Sequence, residues 1–316
     1  MTHTCMRKSE DGSDDAEGQA LRSKVLAALL LNRTPGYHFL GNFLSLGYQE
    51  EADGTSVVTL EDPSFALDAS GEADPLVCFV MADIALARGA RNGLTHGRPL
   101  STVSIHLQFM DESTSHTPVS KGRRTGAMGS DISGLATAEV LLRAGSISCR
   151  GSGAFMALKG PQVYQTPTDA EVHSGVRLFP ADLGDEENKI FSRAVNCASG
   201  ERSFIHRFMG FRMVSSGPSS RVDLENGSHL SNRVGKVQGG ILLDLAAEAA
   251  AACLPAGWRL SSVSANYIST GEGPYLSASA ELAHLGRATA VVNTVVSNSD
   301  GRSVLYALST HIPSLY

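Results

Sequence analysis

Two long apolar segments stand out in the pattern of hydrophobic and polar positions along this chain. Residues 240–253 are apolar on almost every side of a helix, and residues 76–88 form a second apolar run of helical length. A helix that is apolar all round must be enclosed by other structure. Segments that alternate between apolar and polar residues follow each run, as expected of half-buried strands. The pattern predicts two buried helices, each accompanied by a sheet.

Internal similarity shows that the chain is a tandem repeat. Each half has the same predicted order, namely a short helix, a strand or hairpin, a long apolar helix and three alternating strands. The matching segments occur in the same order in both halves: 38–41 (HFLG) with 207–210 (RFMG), 101–109 (STVSIHLQF) with 260–267 (LSSVSANY), and 134–140 (GLATAEV) with 286–292 (GRATAVV).

The remaining segments set the domain boundaries. Residues 1–20 are rich in Ser, Asp, Glu and Gly and have no apolar periodicity, which predicts a disordered tail. Residues 160–187 combine prolines with many charges, which predicts a linker. The two predicted domains are therefore residues 21–159 and 188–316.

Composition excludes several classes of protein. Hydrophobic residues make up 42% and charged residues 18%, so a sizeable core is available. The net charge of −6 and the lack of a long Lys or Arg run argue against a nucleic-acid partner. Five scattered cysteines and ten histidines show no metal-ligand spacing, so no metal is expected. The apolar run at residues 25–31 is too short to span a membrane, and we expect a cytoplasmic protein without a membrane partner.

The strongest local motif is NRVGKVQGG at residues 232–240, directly ahead of the second apolar helix. It resembles the Asn-x-x-Gly-x-x-His-Gly-Gly motif of hotdog-fold acyl-CoA thioesterases of the phenylacetate-pathway type, with Gln238 in place of the histidine. The resemblance extends over both halves. It implies an α+β double hotdog, in which two antiparallel sheets each wrap a long central helix and join as a pseudo-dimer. It also implies an acyl-CoA-type thioester as the substrate and no cofactor other than the CoA of that substrate.

The Gly-Gly pair has a physical reason at this place. Gly239 and Gly240 let a substrate approach the first amides of the helix without a Cβ in the way. Those amides and the positive end of the helix dipole would stabilise the oxyanion of a thioester carbonyl. Gln238 can donate a hydrogen bond to the carbonyl but cannot carry a proton at neutral pH. The substitution therefore bears on catalytic rate more than on binding.

The first half lacks the glycines but contains a carboxylate at the matching place. Asp83 lies nine residues after Asp74, which aligns with Gln238, and the resembled family has its catalytic Asp or Glu at that offset. An ionised carboxylate among apolar neighbours is costly, so its pKa should rise and suit a base or nucleophile near neutral pH. Because the family builds each site across two hotdog units, Gln238, Gly239 and Gly240 should meet Asp83 in one composite site.

The reciprocal site is expected to be degenerate. It would pair Asp74 and Pro75 with Asp244 or Glu248, and Pro75 has no N–H to donate. The resemblance further places Thr102 beside the attacking water and gives Asn232 the role of orienting water or the glycine loop. The candidates for binding the CoA phosphates are Arg123, Arg124 and Arg287.

Three functions remain open at this stage. The first is an acyl-CoA thioesterase in which Asp83 activates water or attacks directly, while Gly240 and Gln238 hold the carbonyl oxygen. The second is a non-catalytic acyl-CoA-binding or regulatory protein, which the change to Gln238 favours. The third is a hotdog dehydratase or hydratase, which would need a catalytic histidine that neither helix start supplies. A homodimer of double-hotdog chains is also compatible with the resemblance.

Overall fold

The computed structural model describes residues 11–34, 38–68, 71–92, 99–111, 118–129, 134–158, 177–197, 202–232 and 235–314. Their helices are α1 (Asp11–Asn32), α2 (Phe39–Phe43), α3 (Pro75–Arg91), α4 (Asp185–Asn196), α5 (Phe204–Met209) and α6 (Gly239–Ala251), with 3-10 turns at Pro180–Asp182 and Ser228–Leu230. Their strands are β1 (Leu46–Glu50), β2 (Ser56–Leu60), β3 (Leu100–Asp111), β4 (Val119–Met128), β5 (Leu135–Ala144), β6 (Ile147–Ala157), β7 (Arg212–Ser215), β8 (Ser219–Glu225), β9 (Trp258–Tyr267), β10 (Tyr275–Leu285), β11 (Ala290–Asn298) and β12 (Ser303–Pro313).

The described strands form one antiparallel sheet, and its strand order is symmetric about the centre. The order is β1-β2-β4-β5-β6-β3-β9-β12-β11-β10-β8-β7, so the second six strands mirror the first six. Strands β3 and β9 join the halves at the centre, with a register from Ser104 opposite Asn266 to Gln108 opposite Ser262. The architecture is therefore α+β with a large antiparallel sheet.

Each half has a hairpin, a long helix and four strands, one strand more than the sequence predicted. The missed strands are β4 and β10. Strand β4 has the sequence VSKGRRTGAM, which is polar and contains two glycines. Strand β10 does alternate, but its buried positions include Ala278 and Ala280, and alanine has a weak preference for strands. Neither segment therefore shows the alternation of large apolar residues on which the strand prediction depended.

Both long helices lie where the apolar pattern predicted them, and each packs on its own half of the sheet. Helix α3 contacts β4 and β5, helix α6 contacts β10 and β11, and the two helices also contact each other. The approach of α3 to β4 is very close: a Cβ on Gly122 would lie 1.9 Å from the carbonyl oxygen of Ala85. Only glycine at this position allows the helix to reach the sheet.

The repeated segments meet where the two halves pack together. Phe39 and Phe208, the phenylalanines of the two matching motifs, have ring centroids 5.7 Å apart. Phe43, Phe65 and Phe204 complete the cluster, with Phe43 5.4 Å from Phe204. Equivalent residues in contact are expected at an axis of approximate two-fold symmetry. Burial of these five rings holds α2 against α5 and so holds the halves together.

Two predicted boundaries are corrected by the helices. Helix α1 begins at Asp11, so residues 11–20 are helical and not part of a disordered tail. Leu21, Val25 and Leu29 bury one face of this helix. Helix α4 likewise begins inside the predicted linker 160–187, of which residues 160–176 lie outside the described residues. Among the described helices, none is both long and apolar enough to cross a membrane.

Candidate active site

The start of helix α6 is shaped by Gln238, which is its N-cap residue. Its backbone is extended, with φ −68° and ψ 137°, and its side-chain Oε1 accepts a hydrogen bond from the N–H of Ile241 at 3.1 Å. This bond satisfies one of the amides that every helix leaves without an internal partner. Gln238 is only 3% exposed, so its side chain is fixed inside the protein.

The other end of the Gln238 amide contacts Asp83 across the interface between the halves. Its Nε2 donates to Oδ2 of Asp83 at 2.8 Å. The hydroxyl of Thr102 donates to Oδ1 of the same carboxylate at 3.2 Å, and the backbone N–H of Gly240 also hydrogen bonds to it. The structure therefore brings together Asp83, Thr102, Gln238 and Gly240, although Gln238 is 155 residues from Asp83 in sequence.

The neighbours of Gln238 leave its amide only one orientation. An N–H must face an acceptor and a carboxylate must face a donor, so Oε1 points to Ile241 and Nε2 to Asp83. The neutral amide thus joins the cap of α6 to the carboxylate on α3.

Both glycines are required by close contacts. A Cβ on Gly239 would lie 2.9 Å from each carboxylate oxygen of Asp83, and one on Gly240 would lie 2.6 Å from the carbonyl oxygen of Phe79. Gly239 lines the cavity described below, whereas Gly240 is buried against α3 and does not. The two glycines therefore differ in role: Gly239 keeps the site open to a ligand, and Gly240 lets the two helices touch.

Burial perturbs the acidity of Asp83. The residue is 6% exposed, and burial raises the pKa of its carboxyl to about 6, while hydrogen bonds from Thr102 and Gly240 act in the opposite direction. Desolvation disfavours the charged form of a carboxyl, and hydrogen bonds to that form favour it. Asp83 is thus ionised at neutral pH and still close enough to its pKa to accept and return a proton.

Two further residues of the site were missed by the sequence reasoning. The hydroxyl of Tyr267 donates to the carbonyl oxygen of Gly239 at 2.8 Å, and burial together with the charge of Asp83 raises the tyrosine pKa well above its usual value. His38 caps α2 by accepting the N–H of Gly41 at Nδ1, and its ring lies in the cavity wall. Both residues stand inside repeated segments, but a repeat does not show where a side chain points.

A cavity of about 350 Å³ opens between the two halves beside this cluster. Asp83 is the only acidic residue in its described wall, whereas three cationic residues, Arg88, Arg91 and Lys236, line it. Asn232 also lines the cavity, and its Oδ1 accepts the N–H of Lys236 at 3.0 Å, which closes the loop ahead of Gln238.

The arginines predicted to bind the substrate do not line this cavity, and their role stays a prediction. Arg123 is exposed on β4 and forms an ion pair with Glu139 on the neighbouring strand, at 2.6 Å. Arg124 donates to the carbonyl oxygen of Asn92 at 2.8 Å. Arg287 is exposed in the turn between β10 and β11.

The reciprocal position has a different chemistry. Asp74 caps α3 and also accepts a hydrogen bond from Ser203, and burial raises its pKa. The residue nine positions after the Gln238 cap is Ala247, where the first site has Asp83. Among the described residues here, the helix cap Asp74 is an acceptor, Pro75 has no N–H, and Ala247 has no carboxylate.

Two other carboxylates lie near Asp74. Burial, together with the charges of Glu248 and Asp74, raises the pKa of Asp244 well above its usual value. Burial acts to raise the pKa of Glu248 as well, but hydrogen bonds and charges from His206 and Arg202 outweigh it and lower that pKa. Among the described residues, no three His, Cys, Asp or Glu side chains are grouped as a metal ion would require.

Comparison with known proteins places the fold. No model of a protein family matches the sequence, and no protein of curated function matches it. The tesB protein of Mycobacterium avium subsp. paratuberculosis is 13% identical, with a TM-score of 0.50, and the match covers 87% of this chain and 99% of that one. This chain therefore shares the fold of that protein over most of its length.

Two shorter solved structures match parts of the chain. A Bacillus halodurans protein solved with CoA is 21% identical, with a TM-score of 0.39, over 44% of this chain and 99% of its own. A mutant of a hypothetical thioesterase from Streptococcus pneumoniae is 23% identical, with a TM-score of 0.33, over 34% of this chain and 93% of its own.

Proposed function

We propose that this chain is a double hotdog that hydrolyses an acyl-CoA-type thioester at one composite site between its halves. The observation that carries the proposal is the buried carboxylate of Asp83, with a pKa of about 6, held by Gln238 and Thr102 at the start of helix α6. A general base is most effective when its pKa lies near the working pH. The site thus combines a suitable base with the end of a helix at which negative charge is stabilised.

Asp83 acts as a general base toward water. It accepts a proton from a water molecule while the water oxygen attacks the thioester carbonyl carbon, forming a tetrahedral oxyanion. The carbon–sulfur bond then breaks, the carboxylic acid is released, and the thiolate takes the proton from Asp83. Hydrogen bonds to both carboxylate oxygens hold Asp83 in place, which favours this route over direct attack by the carboxylate.

The amide of Gly239 is the better candidate for binding the oxyanion. Gly239 lines the cavity, whereas Gly240 is buried and its N–H hydrogen bonds to Asp83. Tyr267 contributes indirectly, because its hydrogen bond to the Gly239 carbonyl fixes the Gly239–Gly240 peptide plane, whose N–H holds Asp83. In other enzymes, loss of one such donor lowers kcat by about 100- to 1000-fold.

Gln238 has a positioning role that replaces the one first expected for it. Its amide does not need to carry a proton, because the proton moves through Asp83. It holds Asp83 with one N–H of Nε2, and its Oε1 caps helix α6. The change from histidine to glutamine thus leaves the base in place.

The proposed enzyme has one working site. At the reciprocal position, Pro75 supplies no amide, Asp74 is an acceptor instead of a donor, and Ala247 replaces the base. Asp244 and Glu248 lie nearby, but Glu248 is engaged by His206 and Arg202.

Thiol release from short, medium and aromatic acyl-CoAs tests the proposal. Asp83→Asn is expected to lower kcat by about 100- to 10,000-fold, as loss of a general base does. Glu248→Gln, at the reciprocal position, is the matched control and should retain wild-type turnover. If wild type binds acyl-CoA but turns it over no faster than Asp83→Asn, the protein is a non-catalytic binding module.

A further inference from the structure

The central part of the sheet has a face that is turned away from the helices. Strands β6, β3, β9 and β12 are neighbours there. On β3 and β9, Ile105, Leu107 and Val263 are buried in the core that also contains residues of α3 and α6. Because successive side chains of a strand point to opposite faces, the residues between them face outward. We call the outward side of these four strands the outer face.

Strand pairing aligns the side chains of the outer face in two rows. Each row crosses the four strands in the order β12, β9, β3 and β6. The first row is Leu308, Ser264, His106 and Ser152, and the second is Tyr306, Asn266, Ser104 and Ala154. None of these residues is buried. Each row therefore has a large side chain at its β12 end and a small one at its β6 end.

The two ends of the rows differ in shape. A cavity of about 290 Å³ lies at the small end, and Ser104, Ser152 and Ala154 are part of its wall. These side chains are too short to fill the space above their strands. At the other end Leu308 is 48% exposed and Tyr306 is 47% exposed. The outer face thus has a hollow on β3 and β6 and a raised apolar edge on β12.

We infer that two copies of this chain pair through the outer face, about a two-fold axis that runs along the junction of β3 and β9. This axis places β12 of one copy over β6 of the other. Leu308 then lies over Ser152 of the second copy and Tyr306 lies over its Ala154, so the apolar side chains fill the hollow. The face is self-complementary, because a two-fold axis forms the same contact twice.

The outer face is large enough for a stable dimer. Four strands at a spacing of about 4.8 Å are roughly 19 Å wide, and ten residues at about 3.4 Å each are roughly 34 Å long. Each of the four strands has at least ten residues. Two copies together would cover about 1300 Å², and specific interfaces bury about 1200 to 2000 Å². Sheets that pack face to face lie about 10 Å apart, which long side chains from one sheet can span.

A second copy accounts for both ends of the rows. A small polar ligand would fill the hollow but leave Tyr306 and Leu308 in water, whereas exposed apolar side chains grouped on one surface are typical of protein–protein contacts. The inference does not depend on the proposed function, because Asp83 and its cavity lie on the helix side of the sheet. The mass of the assembly can be measured without any substrate.

Light scattering of the full chain after gel filtration, over a dilution series, measures that mass. Wild type is expected to have twice the mass of one chain. Leu308→Asp would place a charge in the hollow of the second copy, and Ser152→Lys would place one there from the opposite side. Loss of one central contact raises the dissociation constant by about 30-fold, and the contact occurs twice, so either variant should weaken the dimer by about 1000-fold.

Mixing the two variants tests the geometry itself. One Leu308→Asp chain paired with one Ser152→Lys chain has the new carboxylate over the new ammonium at one contact and the wild-type contact at the other. The mixture should therefore regain the dimer mass. Leu285→Asp is the matched control, because Leu285 is also 48% exposed but lies at the end of β10, outside the four strands. Its mass should equal that of wild type.

Three results would overturn the inference. The first is a wild type with the mass of a single chain over the whole series, whether or not a small molecule occupies the hollow. The second is a dimer that persists in Leu308→Asp and in Ser152→Lys, since the copies would then meet elsewhere. The third is a mixture that stays monomeric although circular dichroism shows both variants folded. Either variant alone tests the contact, so a folding defect in one leaves the other to decide.

Discussion

Replacing Thr102 with valine tests how the acidity of Asp83 is set. Valine keeps the branched shape of threonine on β3 but removes the hydroxyl that donates to Oδ1 of Asp83 at 3.2 Å. This hydrogen bond lowers the pKa of Asp83 against the effect of burial. Its loss should therefore raise the pKa further.

The expected size follows from the geometry. A hydrogen bond to a charged group contributes about 1.5 to 3 kcal/mol, and a distance of 3.2 Å is long for an O–H donor. The lower value corresponds to about one pKa unit, so the pKa of about 6 in wild type should become roughly 7 in the variant. Asp83 is a base only when ionised, so kcat/KM rises with pH through this pKa. At about pH 6 the variant should be roughly fivefold slower than wild type, and at about pH 9 the two should converge.

The assay is kcat/KM for an acyl-CoA measured from about pH 5 to pH 9. Thr102→Ser keeps the hydroxyl and should restore the wild-type midpoint, and Asp83→Asn should show no such midpoint. An unmoved midpoint in Thr102→Val would refute the reasoning. An equal loss at every pH would do so as well, since it would mean that Thr102 contacts water or substrate directly.

Three other variants test separate features of the site. Asp83→Asn removes the cost, in free energy of folding, of burying the charged carboxylate. In wild type the folded pKa of about 6 lies above the ordinary 3.8. This cost to wild type is therefore absent below about pH 4 and complete above about pH 7. Urea unfolding of this variant should show a gain of up to about 3 kcal/mol at pH 8 and none at pH 4, and equal gains would contradict the assignment. Gly239→Ala should abolish turnover because its Cβ would lie 2.9 Å from both carboxylate oxygens, while Gly18→Ala, which meets nothing within 4 Å, should have no effect on kcat. Tyr267→Phe loses the hydrogen bond to Gly239, worth about 1 kcal/mol, and should lower kcat/KM roughly fivefold; an unchanged value would remove Tyr267 from the site.

The two halves of the chain contribute different residues to the proposed site. Two separate identical units would build two identical sites, each needing both the glycine turn and the carboxylate. In this chain the second half has Gly239 and the first half has Asp83.

The sequence alone predicted the two long helices and the residues of the helix start. These are local properties: an apolar run of helical length predicts α3 and α6, and two glycines after a polar residue predict the turn into α6. The spacing of nine residues also singled out Asp83. Strand β4 was missed because its sequence is polar and rich in glycine, and strand β10 because two of its three buried positions are alanines.

Only the tertiary structure decided which side chains meet. The contact of Gln238 with Asp83 depends on how closely α6 approaches α3, which Gly240 permits through its contact with Phe79. The same packing places Gly239 and Arg88 in the cavity wall, whereas Arg123 and Arg124 do not line it. Such choices depend on interatomic distances between segments far apart in the chain, and the order of residues within each segment does not contain those distances.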